Sequence, residues 1–384
     1  MSQLFSGFVG ALVGFSASVA VVLAAAQAVG ATDAQTISWI TGLALAKAAA
    51  SVFLSWRYRQ PIISAWSTPG AALIAATSGL NLSVAVGAFL VAAALMILTA
   101  LVKPLGALVA RIPMSIASAM LGGVIFRFVV AVFDEMRTAP ALVALALAVF
   151  LVVRLINPFG AVIASLVVGI VAALASGLAT WPALTFAPTL IWTPPVFDAA
   201  TIIGLGVPLY LVTMAAQNLP GFAVMRASGY EPPVQPALFV TGLTSLLTAP
   251  FGAHMVNMAA ISAAICTGPD THPDPKERWK AGVWYALCWF GIALGAAPVV
   301  TFILAMPKAL IVAAAGLGLV GSLAGALGTA MTADKDRFAA VIAFCVAASS
   351  LSLFGIGSAF WSLVAGLAVL GLDRAAPVVN RWRR

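Results

Sequence analysis

Charged side chains are scarce in this 384-residue sequence, because Asp, Glu, Lys and Arg together make up only 8% of it. Soluble domains carry about 25% charged residues, so the composition excludes an ordinary soluble globular protein. Hydrophobic residues account for 63%, and the mean hydropathy is +1.11. Apolar stretches of about 20 residues recur along the chain, unlike the short alternating strands of a membrane β-barrel. The sequence therefore predicts an all-α polytopic membrane protein.

Cysteine and histidine are also rare, with three and two residues. The cysteines lie in or beside apolar segments without paired spacing, which predicts neither a disulfide framework nor a metal site. His272 lies in the proline-rich connection 268–280, where a rigid turn explains the pattern better than a metal. No phosphate-binding P-loop motif is present, which argues against ATP-driven transport by this chain. We expect no cofactor and no metal.

Prolines, glycines and charge clusters divide the chain into fourteen candidate segments. The residues before the first segment carry no basic side chain, so a cleavable signal peptide is not expected. Several segments are short, and twelve spans remain an alternative to fourteen. The segments lie near 7–29, 35–56, 60–79, 82–102, 113–133, 139–155, 158–179, 199–220, 233–249, 250–267, 281–300, 309–331, 338–354 and 356–372.

The basic residues are distributed asymmetrically across these segments. With fourteen crossings and a cytoplasmic N-terminus, fifteen of the 19 lie in cytoplasmic connections or termini. This bias follows the positive-inside rule and accounts for most of the net charge of +8 without a nucleic-acid partner. It predicts a multi-pass protein of a bacterial inner membrane with both termini in the cytoplasm.

The two halves of the chain, 1–197 and 198–384, contain seven segments each. An odd number per half means that the second half enters the membrane in the opposite sense. This arrangement predicts a seven-plus-seven inverted-repeat transporter, with the substrate site between the two repeats.

The third segment of each half is interrupted. Pro61 and Pro69 disfavour one continuous helix over 60–79 and predict an extended stretch at 61–67 followed by a half-helix, with Ser67 or Thr68 as the N-cap. In the second half, Pro250 and Gly252 precede a small-residue helix within 250–267, which we expect to begin near His254 with Asn257 on the same helical face. We expect the two half-helix N-termini to face each other and to attract an anion. The alternative is two proline-kinked helices without a site.

Three stretches resemble the benzoate/proton symporter (BenE) family, and the likeness spans the whole chain in segment order. They read A-W-S-T-P-G-A-A-L at 65–73, Q-N-L-P-G-F-A-V-M-R-A-S-G-Y-E-P-P at 217–233, and F-G-A-H-M-V-N-M-A-A-I-S-A-A-I-C-T-G-P-D-T-H-P-D-P at 251–275. The resemblance implies a secondary transporter of an aromatic carboxylate. It also implies a core domain from spans 1–4 and 8–11 and a gate domain from spans 5–7 and 12–14.

All eleven acidic residues lie at segment ends or in connections. A site without its own carboxylate suits an anionic ligand, since no like charge repels it. We expect the carboxylate to bind between Ser67–Gly70 and Gly252–His254. The candidate substrate-binding residues are Trp66, Ser67, Thr68, Gly70, Gln217, Gly252, His254 and Asn257.

Several of these residues allow two roles. His254 is the candidate to bind the carboxylate and carry the coupled proton, or it is a neutral hydrogen-bonding residue. Trp66 either forms a stacking wall for an aromatic acid or packs between domains. Gln217 and Asn257 either line the site or join helices by hydrogen bonds. Lys47 and Arg127 are intramembrane cations without an acidic partner in sequence.

The sequence thus predicts proton-coupled uptake of benzoate or a similar aromatic carboxylate by alternating access. A transporter or a channel for another organic or inorganic anion is the alternative. An enzyme is not expected, because two histidines and no intramembrane carboxylate leave little for acid–base or nucleophilic chemistry. The partners are the carboxylate, the proton and the lipid bilayer, and a homo-oligomer is left open.

Overall fold

The computed structural model describes residues 2–16, 18–77, 79–102, 104, 113–157, 160–183, 189–349, 351–354 and 356–382. Almost all of the regular structure is helical, and two three-residue strands interrupt it. The first half contains α1 Gln3–Ser16, α2 Val19–Ala28, α3 Asp33–Tyr58, β1 Ser64–Trp66, α4 Thr68–Ala75, α5 Leu82–Leu101, α6 Met114–Asp134, α7 Pro140–Ile156 and α8 Ala161–Ala175.

The second half begins with a long helix that includes two π-helical turns, at Ile202–Gly206 and Met214–Asn218. Its elements are α9 Ala199–Ala227, α10 Val234–Thr248, β2 Val256–Met258, α11 Ile261–Thr267, α12 Trp279–Leu294, α13 Ala296–Leu304, α14 Lys308–Ala330, α15 Arg337–Ala348 and α16 Ser358–Trp382. Each of the fourteen predicted segments thus contains a helix or a strand followed by a helix.

Helix length supports fewer membrane crossings than the fourteen predicted segments. Within the described residues, eight helices are long and apolar enough to cross a membrane, and α12 with α13 makes a ninth if this pair, bent by 62°, is one span. α7 and α8 are apolar but shorter. The fold is therefore a polytopic helical membrane protein, and the seven-plus-seven division stays a prediction.

Side-chain caps define the starts of several helices. Thr32 and Gln35 form a reciprocal capping box at the start of α3. Asn81 accepts a hydrogen bond from the N–H of Val84 at the start of α5. Asp198 caps α9, and its hydrogen bonds from the hydroxyl and N–H of Thr201 hold the pKa of this carboxyl below its ordinary value.

The helices pack in two groups. In the first group, α12 packs on α1 and α3, and α10 packs on α3 and α5. In the second group, α6 packs on α14 and α15, α15 on α16, and α7 on α8. α2 contacts α14 and α4 contacts α6, so these two pairs join the groups. The half-helix of the first broken segment therefore lies where the two groups meet.

The two broken segments pair with each other across the halves of the chain. β1 and β2 form an antiparallel two-stranded sheet in which Ser64 lies opposite Met258 and Trp66 opposite Val256. Backbone hydrogen bonds from Ser67 to Met255 (2.9 Å) and from Ala259 to Ile63 (2.8 Å) extend the ladder at both ends. The first break follows the prediction, since the chain is extended before Ser67 and helical from Thr68.

The predicted start of the second half-helix is wrong. Gly252 ends a short 3-10 turn with φ of +92°, and the chain then runs extended through β2 before α11 begins at Ile261. Pairing with β1 holds this stretch extended, because the ladder satisfies its backbone groups. His254 and Asn257 therefore do not share a helical face, and neither lies at a helix start.

Close helix contact in the second group depends on glycine. A Cβ added to Gly316 in α14 would lie 2.2 Å from Cγ2 of Val132 and 2.4 Å from the carbonyl oxygen of Phe128, both on α6. Small residues let helices approach closely in membranes, where packing rather than the hydrophobic effect drives association.

We predict that Gly316→Ala lowers the free energy of unfolding by about 1–3 kcal/mol, because the added methyl group overpacks this contact. Gly321→Ala in the same helix is the matched control, since its added Cβ would meet no atom of another element within 4 Å. Thermal unfolding of the detergent-purified variants measures the difference. Equal melting temperatures for the two variants would contradict the close approach.

Candidate substrate site at the broken segments

The outer edge of β1 is sealed by side chains. The N–H of Ser64 donates to Oγ of Ser51 (3.0 Å), and the hydroxyl of Tyr285 donates to the carbonyl oxygen of Ser64 (2.7 Å). Non-helical backbone survives inside a membrane protein only where such partners replace water. These bonds fix β1 and therefore fix the direction in which α4 begins.

The outer edge of β2 is sealed in the same way. The N–H of Val256 donates to Oγ of Ser245 (2.8 Å), and the N–H of Met258 donates to Oδ1 of Asn218 (2.9 Å). The buried amide of Asn218 thus supports the backbone rather than facing a ligand.

The start of α4 leaves one backbone donor open. Oγ of Ser67 accepts from the N–H of Gly70 (3.1 Å) and is hydrogen-bonded to the hydroxyl of Thr213 (2.9 Å). Pro69 has no N–H, so within the described residues the N–H of Thr68 is the one donor of this first turn without a partner. Together with the helix dipole, this donor favours a negative group at the start of α4.

His254 joins the two broken segments. Its Nδ1 accepts from the indole N–H of Trp39 (3.0 Å), and its Nε2 lies 3.0 Å from the carbonyl oxygen of Ser67. Because the indole only donates and the carbonyl only accepts, the hydrogen-bond network assigns the neutral tautomer with the proton on Nε2. Both ring nitrogens are therefore occupied, which favours the neutral hydrogen-bonding role over a free proton carrier in this conformation.

Asn257 and Gly252 also have structural roles beside the ladder. With its amide oriented to satisfy both polar atoms, Asn257 accepts from the N–H of Ser67 at 3.2 Å. A Cβ added to Gly252 would lie 3.3 Å from Cβ of Trp39, and the φ of +92° already favours glycine. Ser67 is thus the point at which His254 and Asn257 converge.

Trp66 is packed away from the start of α4. Its side chain is 1% exposed, and its indole N–H donates to Oγ of Ser18 at 2.6 Å. Its ring contacts Phe15 and Trp289, with centroid separations of 5.9 and 4.9 Å. These contacts favour the packing role, with partners in one helix group rather than between domains.

A cavity of about 250 Å³ lies beside the start of α4, where the two helix groups meet. Pro69 and Gln217 line it from one side, and residues of α6 and α14 line it from the other. Its polar lining side chains are Gln217, Ser118, Ser322 and Thr329, and no acidic residue of the described chain lines it. A pocket with this lining can hold a small anion that also presents apolar surface.

A second, smaller cavity of about 70 Å³ lies toward the other end of α4. Leu73 and Thr77 line it from α4 and the residues after it, Thr201 from the start of α9, and Ser358 from the start of α16. The two cavities therefore flank α4 along the contact between the helix groups.

The structure brings some predicted residues together and separates others. Ser67, His254 and Asn257 form one hydrogen-bonded cluster, while Gln217 lines the cavity with Pro69. Gly70 is buried, and a Cβ there would lie 2.6 Å from Cδ1 of Leu209. Trp66 lies apart, and Gly252 packs on Trp39.

Sequence reasoning missed Thr213 and the polar residues of α6 and α14 that line the cavity. Thr213 lies four residues before Gln217, which places both on one face of a helix, and this spacing was a usable signal. Ser118 and Thr329 carried no comparable signal, because serine and threonine are common in membrane helices. No group of three or more potential metal ligands occurs in the described part of the chain.

Comparison with known proteins identifies the family. The profile of the family described as BenE, benzoate membrane transport protein, matches residues 1–372. The chain belongs to the BenE family.

Curated relatives cover nearly the whole chain. The inner membrane protein YdcO of Escherichia coli (strain K12) is 40% identical over 365 residues, which cover 94% of this chain and 93% of the relative. The benzoate membrane transport protein of Acinetobacter baylyi (strain ATCC 33305 / BD413 / ADP1) is 30% identical over 371 residues, covering 96% and 94%. This BenE-family member is therefore a multi-pass membrane transport protein of the bacterial inner-membrane type.

Solved structures share the fold at low sequence identity. The transmembrane domain of the cyanobacterial bicarbonate transporter BicA aligns with a TM-score of 0.64 at 16% identity, covering 95% of this chain and 97% of that domain. SLC26A9 aligns with a TM-score of 0.63 at 13% identity, covering 97% of this chain and 65% of that one. The murine anion transporter Slc26a9 in its inward-facing state aligns with a TM-score of 0.60 at 12% identity, covering 98% and 68%.

We predict that His254→Ala lowers the free energy of unfolding by about 3 kcal/mol, because it leaves the buried N–H of Trp39 without an acceptor and opens a small cavity. His272→Ala, in the connection 268–280, is the control and should change stability by less than about 0.5 kcal/mol. Thermal unfolding in detergent measures both variants. Equal stability of the two variants would show that the bridge does not hold the ladder.

Proposed function

We propose that this protein takes up benzoate or a similar aromatic carboxylate together with a proton, by alternating access. The family match over residues 1–372 carries the proposal, and the name of the Acinetobacter baylyi relative supports benzoate as the substrate. The geometry supports an anion, because an open backbone donor at a helix start lies beside a cavity without acidic lining.

We propose that the carboxylate binds at the start of α4. The N–H of Thr68 and the amide of Gln217 would hold its oxygens, and Ser67 would keep the first turn of the helix in place. The apolar ring would rest against Met114 and Leu121, which line the same cavity. Hydrogen bonds to a charged group are stronger than those between neutral groups, so few donors suffice.

The contact between the two helix groups would be the moving interface. The first group corresponds to the proposed core, spans 1–4 and 8–11, and the second to the proposed gate, spans 5–7 and 12–14. Because the two cavities lie at opposite ends of α4 along this contact, a shift of one group would open one cavity and close the other. With fourteen spans and cytoplasmic termini, the start of α6 and the end of α14 would lie toward the cytoplasm. The larger cavity, which Met114 and Thr329 line from these ends, would then face the cytoplasm.

A transporter or channel for another anion is the second candidate. The fold is shared with a bicarbonate transporter and an anion transporter, and the serine, threonine and glutamine lining would also serve a smaller anion. A channel would conduct without saturable counterflow, whereas a transporter would exchange labelled for unlabelled substrate across the membrane.

We predict that proteoliposomes take up labelled benzoate faster under an inward proton gradient, and that substituted benzoates compete. Protein-free vesicles are the essential control, because protonated benzoic acid crosses lipid unaided. Uptake equal to that of protein-free vesicles, or indifferent to the gradient, would contradict proton-coupled benzoate transport. Exchange of bicarbonate instead of benzoate would favour the second candidate.

We predict that Gln217→Leu raises the KM for benzoate uptake by about tenfold or more, since a hydrogen bond to a charged group contributes about 1.5–3 kcal/mol. Gln235→Leu is the matched control, because this exposed glutamine of α10 does not line the cavity and instead lines a separate groove with Phe239. Initial uptake rates over a range of benzoate concentrations measure both variants. A similar KM for the two would remove Gln217 from the site.

A further inference from the structure

Lys47 lies buried in the middle of α3 among aromatic rings. Its side chain is 1% exposed, and Nζ lies 3.1 Å from the ring centroid of Trp289, 4.4 Å from that of Trp66 and 5.9 Å from that of Tyr285. Among the described residues, Nζ has neither an ion pair nor a hydrogen bond. We call these four residues the lysine cage.

The elements packed on α3 supply no acidic partner. They are α2, β1, α10, the 3-10 turn Ala249–Phe251, β2, α12 and α13, and their sequences contain no Asp or Glu. The other titratable groups of α12 are Lys280 at its start, Tyr285 and Cys288. Tyr285 donates to the carbonyl oxygen of Ser64. α3 itself carries Asp33 at its start and Arg57 and Tyr58 in its last turn, and His254, between the 3-10 turn and β2, accepts a hydrogen bond from Trp39 of α3.

This environment accommodates both protonation states of the amine. An ammonium group is attracted to the faces of aromatic rings, and the attraction is stronger where water is excluded. A neutral amine leaves no carboxylate unpaired, because none is present in the described surroundings. Lys47 can therefore gain and lose a proton without breaking an ion pair among the described residues.

The lysine cage is linked to the start of α4 through β1. Trp66 forms one wall of the cage, and the next residue is Ser67, which caps α4. The hydroxyl of Ser64 also donates to the carbonyl oxygen of Lys47 at 2.9 Å. A charge on Lys47 and a charge at the start of α4 therefore lie in the same rigid unit.

We propose that Lys47 carries the coupled proton, an inference that rests on the proposed function. On the outer side the neutral amine takes up one proton and becomes an ammonium while the carboxylate binds, and on the inner side both are released. The loaded unit is neutral, because +1 and −1 compensate, and so is the empty unit with its neutral amine. A half-loaded unit buries an uncompensated charge, which is costly in a medium of low dielectric constant.

The experiment separates substrate exchange from proton coupling in proteoliposomes. Wild type, Lys47→Met and Lys47→Arg are compared for counterflow of labelled benzoate at equal pH and for uptake under an inward proton gradient. A pH-sensitive dye inside the vesicles reports proton entry with substrate. Arg127→Met is the matched control, because Arg127 is an exposed cation of α6 outside the cage.

We expect Lys47→Arg to keep counterflow, because its permanent charge still compensates the carboxylate in the loaded unit. It should lose the gradient-driven part of uptake and the dye signal down to the level of protein-free vesicles, because arginine stays charged and cannot release its proton. Lys47→Met should lose both, because its loaded unit would carry an uncompensated negative charge. Arg127→Met should retain coupling. Gradient-driven uptake by folded Lys47→Met or Lys47→Arg would overturn the proposal. Loss of counterflow in both, with monodisperse folded protein, would also overturn it by placing Lys47 in substrate binding or packing.

The wild-type vesicles distinguish this inference from the function on which it rests. If wild-type protein shows no benzoate uptake above protein-free vesicles, the proposed function fails. If wild-type uptake follows the proton gradient and the Lys47 variants follow it equally, only the proton assignment fails.

Discussion

The antiparallel ladder between residues 63–67 and 255–259 is the interaction on which the rest of this structure depends. It joins the two halves of the chain at the places where both leave helical geometry. A break in a membrane helix exposes backbone donors and acceptors that water cannot reach. Here the backbone N–H and C=O groups of the two broken segments bond to each other along the shared edge. Side chains from α3, α9, α10 and α12 bond to the backbone groups at the two outer edges.

The ladder also explains why polar residues recur in a chain of such high hydropathy. Ser51, Ser245 and Asn218 are buried and bonded to strand backbone, and His254 ties the ladder to Trp39. These side chains hold the irregular backbone in one geometry. The polar side chains that do not bond to strand backbone include Gln217 and the hydroxyl groups that line the cavity, and these would be available to a ligand. In the proposed site, support and binding would thus be divided between neighbouring residues such as Asn218 and Gln217.

The sequence predicted the first break closely and the second poorly, for a physical reason. Pro61, Pro69 and the capping residue Ser67 are local signals, and local signals are sufficient to end an extended stretch and begin a helix. The second break is extended because β1 pairs with it. This pairing partner is nearly 200 residues away in the sequence, so the local sequence around the second break does not indicate it. The roles of His254 and Trp66 followed from partners such as Trp39 and Trp289, which only the fold brings near.

We propose that an anion binds at the start of α4, which the ladder holds in place, and a structure with a bound ligand tests this most directly. An experimental structure of the protein with 4-iodobenzoate, whose heavy atom fixes the orientation of the ring, would locate the carboxylate. We predict that its oxygens lie within hydrogen-bond distance of the N–H of Thr68 and the amide of Gln217. A carboxylate seated elsewhere, for example against Lys47 among the aromatic rings, would contradict this site.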